Sequence, residues 1–445
     1  MSRKFLEIGL VAAVFVAAGG FGGTEPVSWG VAQTLIFLLG LLLLAIPRNP
    51  YIDRGAKLLA VPAVLALWIA VQWFESRSGK IGIDTHAIAS HGLTYATCVV
   101  AFFAAFDVAR ERGSRKRLAL CLIGLGLFEA LYGLAEYLAG WQYIWNVPRR
   151  YYLGSATGTY VNHNHFAGLV EMILPLSLGL AYYHWRSARR RSRRRTLGAF
   201  VENAGQPEIL KCFLLMLVSV VLLVAIVFSF SRMGMIATLA SLGAMAGAVW
   251  IGRGRTSLPV ALILLSLAGG AATAAWVGVG PVVAHFEQLP QNEPLVGTSE
   301  GRMVLWKDAA KLVAAHPWTG VGLGCFQYAF TRVQSTQLGY LTDHAHNDYL
   351  ELAVDLGIPA GALLFGLFFW MAGRTFRASL LARSNLTRSI ALGSFGGLTA
   401  LLVHSAADFN LYIPANALVF AVLLGIGYAA SLDENAPELN ARRSG

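Results

Sequence analysis

Charged side chains are scarce in this sequence of 445 residues: only 13% are Asp, Glu, Lys or Arg, whereas 56% are hydrophobic. Soluble domains carry roughly 25% charged residues, and a water-soluble core cannot absorb so much apolar sequence. The scarcity therefore predicts an integral membrane protein. The net charge of +11 does not indicate nucleic acid as a partner, because the Lys and Arg residues follow the positive-inside rule of membrane proteins.

Cysteine is rare too, and the motifs of several common enzyme classes are missing. The four cysteines show neither CxxC spacing nor a disulfide pattern, which predicts structural cysteines. No P-loop, Gly-x-Ser-x-Gly elbow, HExxH motif or dinucleotide-binding fingerprint stands in a convincing context. The first apolar run, from Phe5, lacks a convincing cleavage site, so we expect a retained signal-anchor helix.

Long apolar runs, by contrast, recur along the whole chain. A membrane-spanning helix needs about 20 apolar residues, and this length predicts an all-α integral membrane protein with about twelve transmembrane helices. An even number of spans would return the C-terminus to the side of the N-terminus. We treat residues 1–445 as a single polytopic domain. The predicted spans are 5–21, 29–47, 58–74, 93–109, 118–139, 163–185, 210–230, 233–251, 258–280, 349–372, 391–409 and 415–430.

The basic residues predict the orientation of these spans. Lys and Arg are concentrated in alternate connections, including the arginine-rich block 186–195, and both termini carry basic residues on the same side. That side is predicted to be cytoplasmic, and the block is expected to anchor the topology and contact anionic lipid. The opposite side then holds residues 281–348, a large and partly helical periplasmic loop between spans nine and ten. Within it, Met303 to Ala315 is predicted to be an amphipathic helix that ends before Pro317 and lies on the membrane or over a cavity.

Arginines outside the cytoplasm are exceptions to this bias. Arg149 and Arg150 lie among interfacial aromatics, Arg232 lies in a very short turn, and Arg302 begins the predicted loop helix. An arginine at headgroup depth is costly unless it is paired, and a phosphate or pyrophosphate suits its planar fork. Contact with lipid headgroups explains Arg149 and Arg150 equally well, whereas Arg232 and Arg302 favour a phosphate ligand.

A compact polar cluster, HAHND at residues 344–348, lies where the loop is predicted to re-enter the membrane. Its histidines suit a general base near neutral pH. The alternating His344, His346 and Asp348 could also ligate a metal. A third interpretation is a polar helix cap with Asp343 at the N-cap position. The residues alone leave all three interpretations open.

Other polar groups lie near the same predicted surface or inside the spans. His163 and His165 precede the sixth span, and His404 and Asp408, four residues apart in the eleventh, could pair on one helix face. For both sets a structural role is the more common one. Buried carboxylates in membranes require partners or a cavity. The sequence places such groups at Glu129, Glu136 and Glu171, and it predicts one helical stripe of His344, Asp348, Glu351 and Asp355 entering the bilayer.

Three segments resemble the bacterial O-antigen ligase family and the wider superfamily that includes O-antigen polymerases. They are SFSRMGM (229–235), GRMVLWKDAAKLVAAHPWTGVGLG (301–324) and HAHNDYLELAVDLGIPAG (344–361). The ligase pattern is His, then Asn, Ser or Gln, then nine residues, then Gly-x-x-Gly. His346, Asn347 and Gly357 fit it, whereas Ala360 stands in place of the last glycine and Gly361 follows.

The resemblance implies an inner-membrane glycosyltransferase whose active site faces the periplasm. Such a ligase transfers a glycan from undecaprenyl pyrophosphate to the lipid A–core oligosaccharide, inverts the anomeric centre and uses neither metal nor cofactor. Residue by residue, Arg232 and Arg302 match the family's essential loop arginines, and His346 matches its essential histidine, which favours the general-base interpretation. The further candidate substrate-binding residues are Arg149, Arg150, His344, Asn347, Asp348, His163 and His165.

Several alternatives accompany this expectation. An O-antigen polymerase or a protein O-oligosaccharyltransferase of the same superfamily would use similar residues. From a different class, a lipid-linked glycan flippase or transporter would also need cavity arginines, but it should carry cationic residues through the membrane depth. The clustering of these residues on one face favours an enzyme, whose partners would be the lipid-linked donor, the acceptor and membrane lipids.

Overall fold

The computed structural model describes residues 2–45, 57–79, 81–191, 206–253, 299–336 and 342–434. Within these ranges the chain is almost entirely helical, as the apolar composition predicts. The helices are α1 (Ser2–Gly19), α2 (Pro26–Ala45), α3 (Ala60–Ser76), α4 (Thr85–Ala109), α5 (Arg112–Ala139), α6 (His163–Arg191), α7 (Pro207–Phe228), α8 (Arg232–Arg253), α9 (Ser299–Ala315), α10 (Phe326–Phe330), α11 (Asp348–Leu356), α12 (Ile358–Leu381), α13 (Asn385–His404) and α14 (Pro414–Ser431). A short antiparallel hairpin, β1 (Tyr143–Ile144) and β2 (Val147–Pro148), follows α5.

Nine helices in the described part of the chain are long and apolar enough to cross a membrane: α2, α4, α5, α6, α7, α8, α12, α13 and α14. Helix α3 is apolar but has only 17 residues. The predicted ninth span, 258–280, lies outside the described residues. The fold is therefore an all-α, multi-pass membrane fold, and the total of twelve spans stays a prediction.

Helices α6, α13 and α14 form the centre of the bundle, since their apolar windows are the most buried of the nine. Glycines allow α13 to approach α6 closely. A Cβ added at Gly393 would lie 2.7 Å from Leu176 Cα, and one added at Gly397 would lie 2.3 Å from Met172 O. Small residues at such contacts are how membrane helices gain close packing. A larger side chain at either position would push α6 and α13 apart.

The two ends of the bundle differ in chemistry. At one end, ion pairs join Arg3 to Asp107 at 3.2 Å and Arg115 to Asp433 at 3.1 Å. At the other end lie the connections after α1, α5, α7 and α13, together with the loop that carries α9 and α10. This separation agrees with the predicted alternation of basic and non-basic connections.

The predicted span 349–372 is wrong as one continuous helix, because the chain breaks at Gly357 into α11 and α12. Gly357 has φ 83° and ψ 160°, a conformation that glycine adopts without steric cost. Ile358 N donates to Pro317 O at 2.8 Å, and a Cβ at Gly357 would lie 2.6 Å from Trp318 O. The outer loop therefore packs into the break, an interaction that local periodicity cannot predict.

A glutamine from α3 fixes this junction. Gln72 is fully buried, and its Nε2 donates to Thr319 O at 2.8 Å and to Asp355 O at 2.9 Å. Its Oε1 accepts from Leu323 N at 3.2 Å. Because both ends of the amide are bonded, the buried polar group is satisfied and ties the loop after α9 to α11.

The predicted loop helix is confirmed, since α9 covers Met303 to Ala315 and ends before Pro317. Its buried face carries Leu305, Ala309 and Leu312. Helix α9 packs against α11 and α10, so within the described residues it covers the segment that carries the candidate site.

Candidate active site

The site is built on the turn that follows α13, residues 405–409, which we name the Asp408 turn. The HAHND segment docks on it through its backbone. Asp348 N donates to Ser405 O at 2.9 Å and to Asp408 O at 3.1 Å. The buried Asp348 carboxylate accepts from Leu411 N at 3.2 Å in return. Asp348 therefore holds two segments together, and burial raises its pKa well above the usual value.

Asn347, and not Asp343, caps the helix that follows. The Asn347 side chain accepts from Leu350 N at 3.1 Å, so α11 begins at Asp348. The predicted cap at Asp343 is wrong, and His344 lies before the helix, outside the predicted stripe. His346 adopts φ 48°, a left-handed conformation that is uncommon for a residue with a side chain. This backbone geometry turns the imidazole of His346 toward the Asp408 turn.

Three imidazoles surround the Asp408 carboxylate. His346 Nδ1 lies 3.4 Å and His165 Nε2 lies 3.8 Å from Oδ1, and His404 Nε2 lies 3.6 Å from Oδ2. Burial alone would raise the pKa of Asp408, but these imidazoles hold it well below its usual value. The predicted pairing of His404 with Asp408 is present. An ionised carboxylate is thus held beside His346.

His344 belongs to a second pair next to the first. Its Nδ1 lies 2.6 Å from Glu351 Oε1, and Ala345 N donates to Glu351 Oε2 at 2.7 Å. Burial disfavours the charged imidazole, but the Glu351 carboxylate outweighs it and raises the pKa of His344 to about 9. The ring stacks on Phe409 at 4.0 Å, and His346 meets the same ring edge-on at 4.9 Å. At neutral pH a positive charge therefore lies beside His346.

Arg302 reaches the same turn from α9. Its Nη1 donates to Ala407 O at 3.0 Å, while its Nε is buried with no hydrogen-bond partner among the described residues. Trp306, one helical turn later, donates through Nε1 to Ala345 O at 2.9 Å. Helix α9 is therefore hydrogen-bonded to the Asp408 turn and to the HAHND segment. The Nε of Arg302 is the donor that no described residue satisfies.

Arg232 lies at the first position of α8, after a tight turn with Phe230 at φ 59°. His163 Nδ1 contacts Ser229 O in this turn. His163 and His165 both belong to the first turn of α6, so one short segment contacts the Arg232 turn through His163 and Asp408 through His165. Helix α6 thus links the turn before Arg232 to the Asp408 turn. The Arg232 side chain itself is exposed.

Arg149 and Arg150 have different surroundings. The Arg149 side chain is only 2% exposed, donates to Ser155 O at 3.1 Å and lies 3.9 Å from Glu136 Oε2. Burial lowers its pKa, and Glu136 opposes that shift. Arg150 is exposed. Arg149 thus stabilises the loop after β2, and a substrate contact for either arginine stays a prediction.

An apolar cavity of about 440 Å³ lies beside the site, between α4, α12 and α14. Leu364, Phe368 and Phe420 are among its apolar lining residues, and His91 and Tyr412 line it as well. Tyr412 OH donates to Asp355 Oδ2 at 2.8 Å, and the Tyr412 ring lies 5.2 Å from His344. The cavity therefore meets the polar site at Tyr412, and its volume falls within the range of about 300–1,000 Å³ typical of small-molecule pockets.

The sequence did not single out Asp408 as the centre of the site, nor Phe409 and Glu351 as partners of the histidines. The HAHND segment, the first turn of α6 and the end of α13 are far apart in sequence, so no local pattern places them together. The i, i+4 spacing of His404 and Asp408 was the one available signal.

The described residues contain no group of three or more His, Cys, Asp or Glu side chains arranged to hold a metal ion. The histidines of the HAHND segment instead face carboxylates on other elements.

Comparison with known proteins adds one finding. Residues 217–365 match the family model described as O-Antigen ligase. The three segments that resemble this family all lie in that range, so the resemblance is confirmed there, whereas His165, His404 and Asp408 lie outside it. No curated protein matches the chain.

Proposed function

From the O-antigen ligase family domain at residues 217–365, we propose that this multi-pass membrane protein is the ligase itself. It transfers a glycan from undecaprenyl pyrophosphate to the lipid A–core oligosaccharide of the inner membrane. The active site opens to the periplasm, and residues 281–348 form the periplasmic loop that carries part of it. The donor and the acceptor are the two substrates, and the transfer uses no cofactor.

The observation that carries the proposal is His346 beside the buried carboxylate of Asp408, at 3.4 Å, in a protein with nine described helices apolar enough to cross a membrane. The His346 side chain is 17% exposed, so a substrate can reach it. A carboxylate on Nδ1 keeps the proton there and leaves Nε2 free to accept another. His346 is therefore the general base of the reaction.

Transfer is a single displacement at the anomeric carbon. The acceptor hydroxyl oxygen forms the new bond to that carbon while its proton passes to His346 Nε2. The bond from the carbon to the pyrophosphate oxygen breaks, and the electron pair leaves on the pyrophosphate. Asp408 stabilises the imidazolium that forms. Attack opposite the leaving group inverts the anomeric centre.

Positive groups would stabilise the leaving pyrophosphate. The buried, unpartnered Nε of Arg302 suits an anion, because an unsatisfied buried donor is costly. Arg232 supplies a second guanidinium, and His344 lies beside His346 with its pKa raised to about 9. Fixed donors aimed at developing charge are the usual source of such stabilisation. The prediction that no metal takes part stays open to test.

The apolar cavity supports a lipid-linked donor. It meets the polar site at Tyr412 and continues between α4, α12 and α14, where the isoprene units next to the pyrophosphate would pack against apolar side chains. A tail held there would place its pyrophosphate beside His344 and Arg302. Asn347 and Asp348 would contribute by fixing the HAHND segment. His163 and His165 would contribute by linking the turn before Arg232 to the Asp408 turn.

The test is a transfer assay with purified protein, a lipid-linked glycan donor, and either lipid A–core or a second lipid-linked glycan as acceptor. A ligase extends lipid A–core, and the His346→Ala variant should not. The second candidate is an O-antigen polymerase, because Ala360 in place of the pattern's last glycine weakens the distinction between ligase and polymerase; a polymerase would extend the second lipid-linked glycan. Glycan on an added acceptor protein would indicate an O-oligosaccharyltransferase, and movement of donor across vesicles without a product would indicate a flippase.

A further inference from the structure

Behind Asp408 lies a buried pair that the proposed chemistry does not use. His404 is the last residue of α13 and Glu171 lies in the third turn of α6, and both side chains are 0% exposed. His404 Nδ1 lies 2.9 Å from Glu171 Oε1, and His404 Nε2 lies 3.6 Å from Asp408 Oδ2. The imidazole therefore bridges two buried carboxylates.

This arrangement fits a protonated His404. A neutral imidazole has one N–H donor and one acceptor, whereas both ring nitrogens of His404 face carboxylate oxygens. Only the imidazolium offers a proton to each. Two buried carboxylates without a cation between them would repel, and buried charges in a membrane protein require partners.

The charged and titratable groups around His404 and Asp408 come from every element packed there. Arg302, from α9, bonds to the backbone at Ala407 and not to either carboxylate. His346 faces Oδ1 of Asp408, and His404 faces Oδ2. Among the described residues, the facing groups include Glu171 and His165 on α6, His344 and His346 in the HAHND segment, Asp348 on α11, and Arg302 on α9.

We infer that His404 is a positioning residue for transfer: held by Glu171, its imidazolium keeps Asp408 ionised and oriented toward His346. The inference rests on the proposed function and assigns a role to two residues outside the family match. It predicts a net charge of −1 on the trio of Glu171, His404 and Asp408. That charge is balanced when His346 accepts the proton of the acceptor hydroxyl.

The first variant is His404→Gln, which keeps a hydrogen-bonding side chain and removes the cation. Asp408 would then take up a proton at higher pH, since the imidazoles around it are what keep its pKa low. The acid limb of the pH–rate profile should move to higher pH. We expect kcat to fall about 10- to 100-fold, the range seen when partners that orient metal-bound histidines are removed, with the KM for the donor unchanged.

The second variant, His404→Gln with Glu171→Gln, separates this role from a merely structural one. Removing the second carboxylate relieves its repulsion of Asp408, so the double variant should recover part of the kcat lost in His404→Gln. A purely structural role would lower kcat without moving the acid limb of the pH–rate profile, and that readout does not require the two contacting positions to be additive. The matched control is His184→Gln. His184 pairs with Glu208 at 2.5 Å at the far end of α6 and should not affect rate or pH profile.

Wild-type kcat and pH profile in His404→Gln would overturn the inference, as would a double variant slower than the single one. If His404→Gln does not fold, the double variant decides alone: a lowered kcat with a raised acid limb supports the role, and a wild-type profile refutes it. Absence of transfer by the wild-type protein would instead refute the proposed function, so the two failures are distinguishable.

Discussion

Two regions of this protein bury carboxylates, and they satisfy them differently. In the first, which we name the α5 anchor (Glu129, Glu136, Arg149, Thr157 and Thr159), Glu129 accepts from Thr159 N at 2.9 Å and from Thr159 Oγ1 at 2.8 Å. In the second, Asp408 faces three imidazoles at 3.4 to 3.8 Å. In the α5 anchor, the partners of the carboxylates are threonine and arginine groups, which keep their protons at ordinary pH values. The partners of Asp408 are imidazoles, which exchange protons near neutral pH.

The difference shows how to distinguish polar groups with a structural role from polar groups that take part in a reaction in a membrane protein. Both sets are buried and both are costly without partners. The α5 anchor holds the loop after β2 on the bundle, and its Thr159 also donates to Ala18 O at 2.9 Å. At the Asp408 turn, by contrast, the facing ring nitrogens of His165, His346 and His404 lie 3.4 to 3.8 Å from the carboxylate, farther than the 2.8 and 2.9 Å hydrogen bonds of Glu129. Loose, titratable contacts of this kind suit a site that must bind and change its charge.

The largest contrast is expected from His346→Ala against Thr159→Val. Loss of a general base typically costs about 100- to 10,000-fold in rate, and donor binding should persist because it rests on the arginines and the apolar cavity. Thr159→Val should lower the melting temperature and leave kcat intact. The measurement is steady-state transfer together with donor binding. A His346→Ala protein with near-normal turnover would make His346 a structural residue, and one that also loses donor affinity would place it at the phosphate.

Arg302→Lys against Arg115→Lys should show the next largest contrast. Lysine keeps the charge but loses the planar fork, so we expect Arg302→Lys to lose about 100- to 1,000-fold in kcat, as when one donor to a developing anion is removed. Arg115→Lys, at the other end of the bundle, should lower stability through its ion pair with Asp433, with transfer retained. Equal effects of the two variants on kcat would contradict the assignment.

A smaller effect is expected from pH on donor binding. Glu351 raises the pKa of His344 to about 9, from 6.5 for a free imidazole. The favourable charge of the folded protein is therefore present at neutral pH and is lost as the pH rises through about 9. Donor affinity, measured by titration calorimetry between pH 6 and 10, should weaken about tenfold over the upper part of that range. The His344→Gln variant should show a weaker but pH-independent affinity; an unchanged pH dependence would remove His344 from the donor site.

The smallest expected effect is that of chelation. If arginines stabilise the pyrophosphate, transfer in excess EDTA should proceed at the untreated rate. The control is the same assay with magnesium or manganese restored. A loss in EDTA that either ion reverses would revive the metal interpretation of the HAHND segment.

The sequence was informative where chemistry is local. Pro317 predicted the end of α9. Apart from span 349–372, the apolar runs predicted the long helices of the described ranges, with ends that differ by at most eight residues. The break at Gly357 could not be predicted, because it depends on the backbone of Pro317 and Trp318 packing into a gap between α11 and α12.

The candidate site shows the same limit. His344 and His346 stood out as histidines in a polar cluster, yet their partners Glu351 and Asp408 follow from tertiary packing. Asn347 took the cap position that a local interpretation gave to Asp343, since His346 in its left-handed conformation delays the start of the helix. Residue type therefore singled out the candidate groups, and only the fold shows what each one faces.

The most direct test of the central claim, that transfer occurs at the Asp408 turn, compares Asp408→Asn with Glu129→Gln in one assay. Each substitution removes a buried carboxylate and preserves its shape. Asp408→Asn should lose about 100-fold or more in kcat with donor affinity intact. Glu129→Gln should transfer at close to the wild-type rate and lose about 1 kcal/mol of stability. A fully active Asp408→Asn protein, or equal losses of kcat in both variants, would contradict the claim.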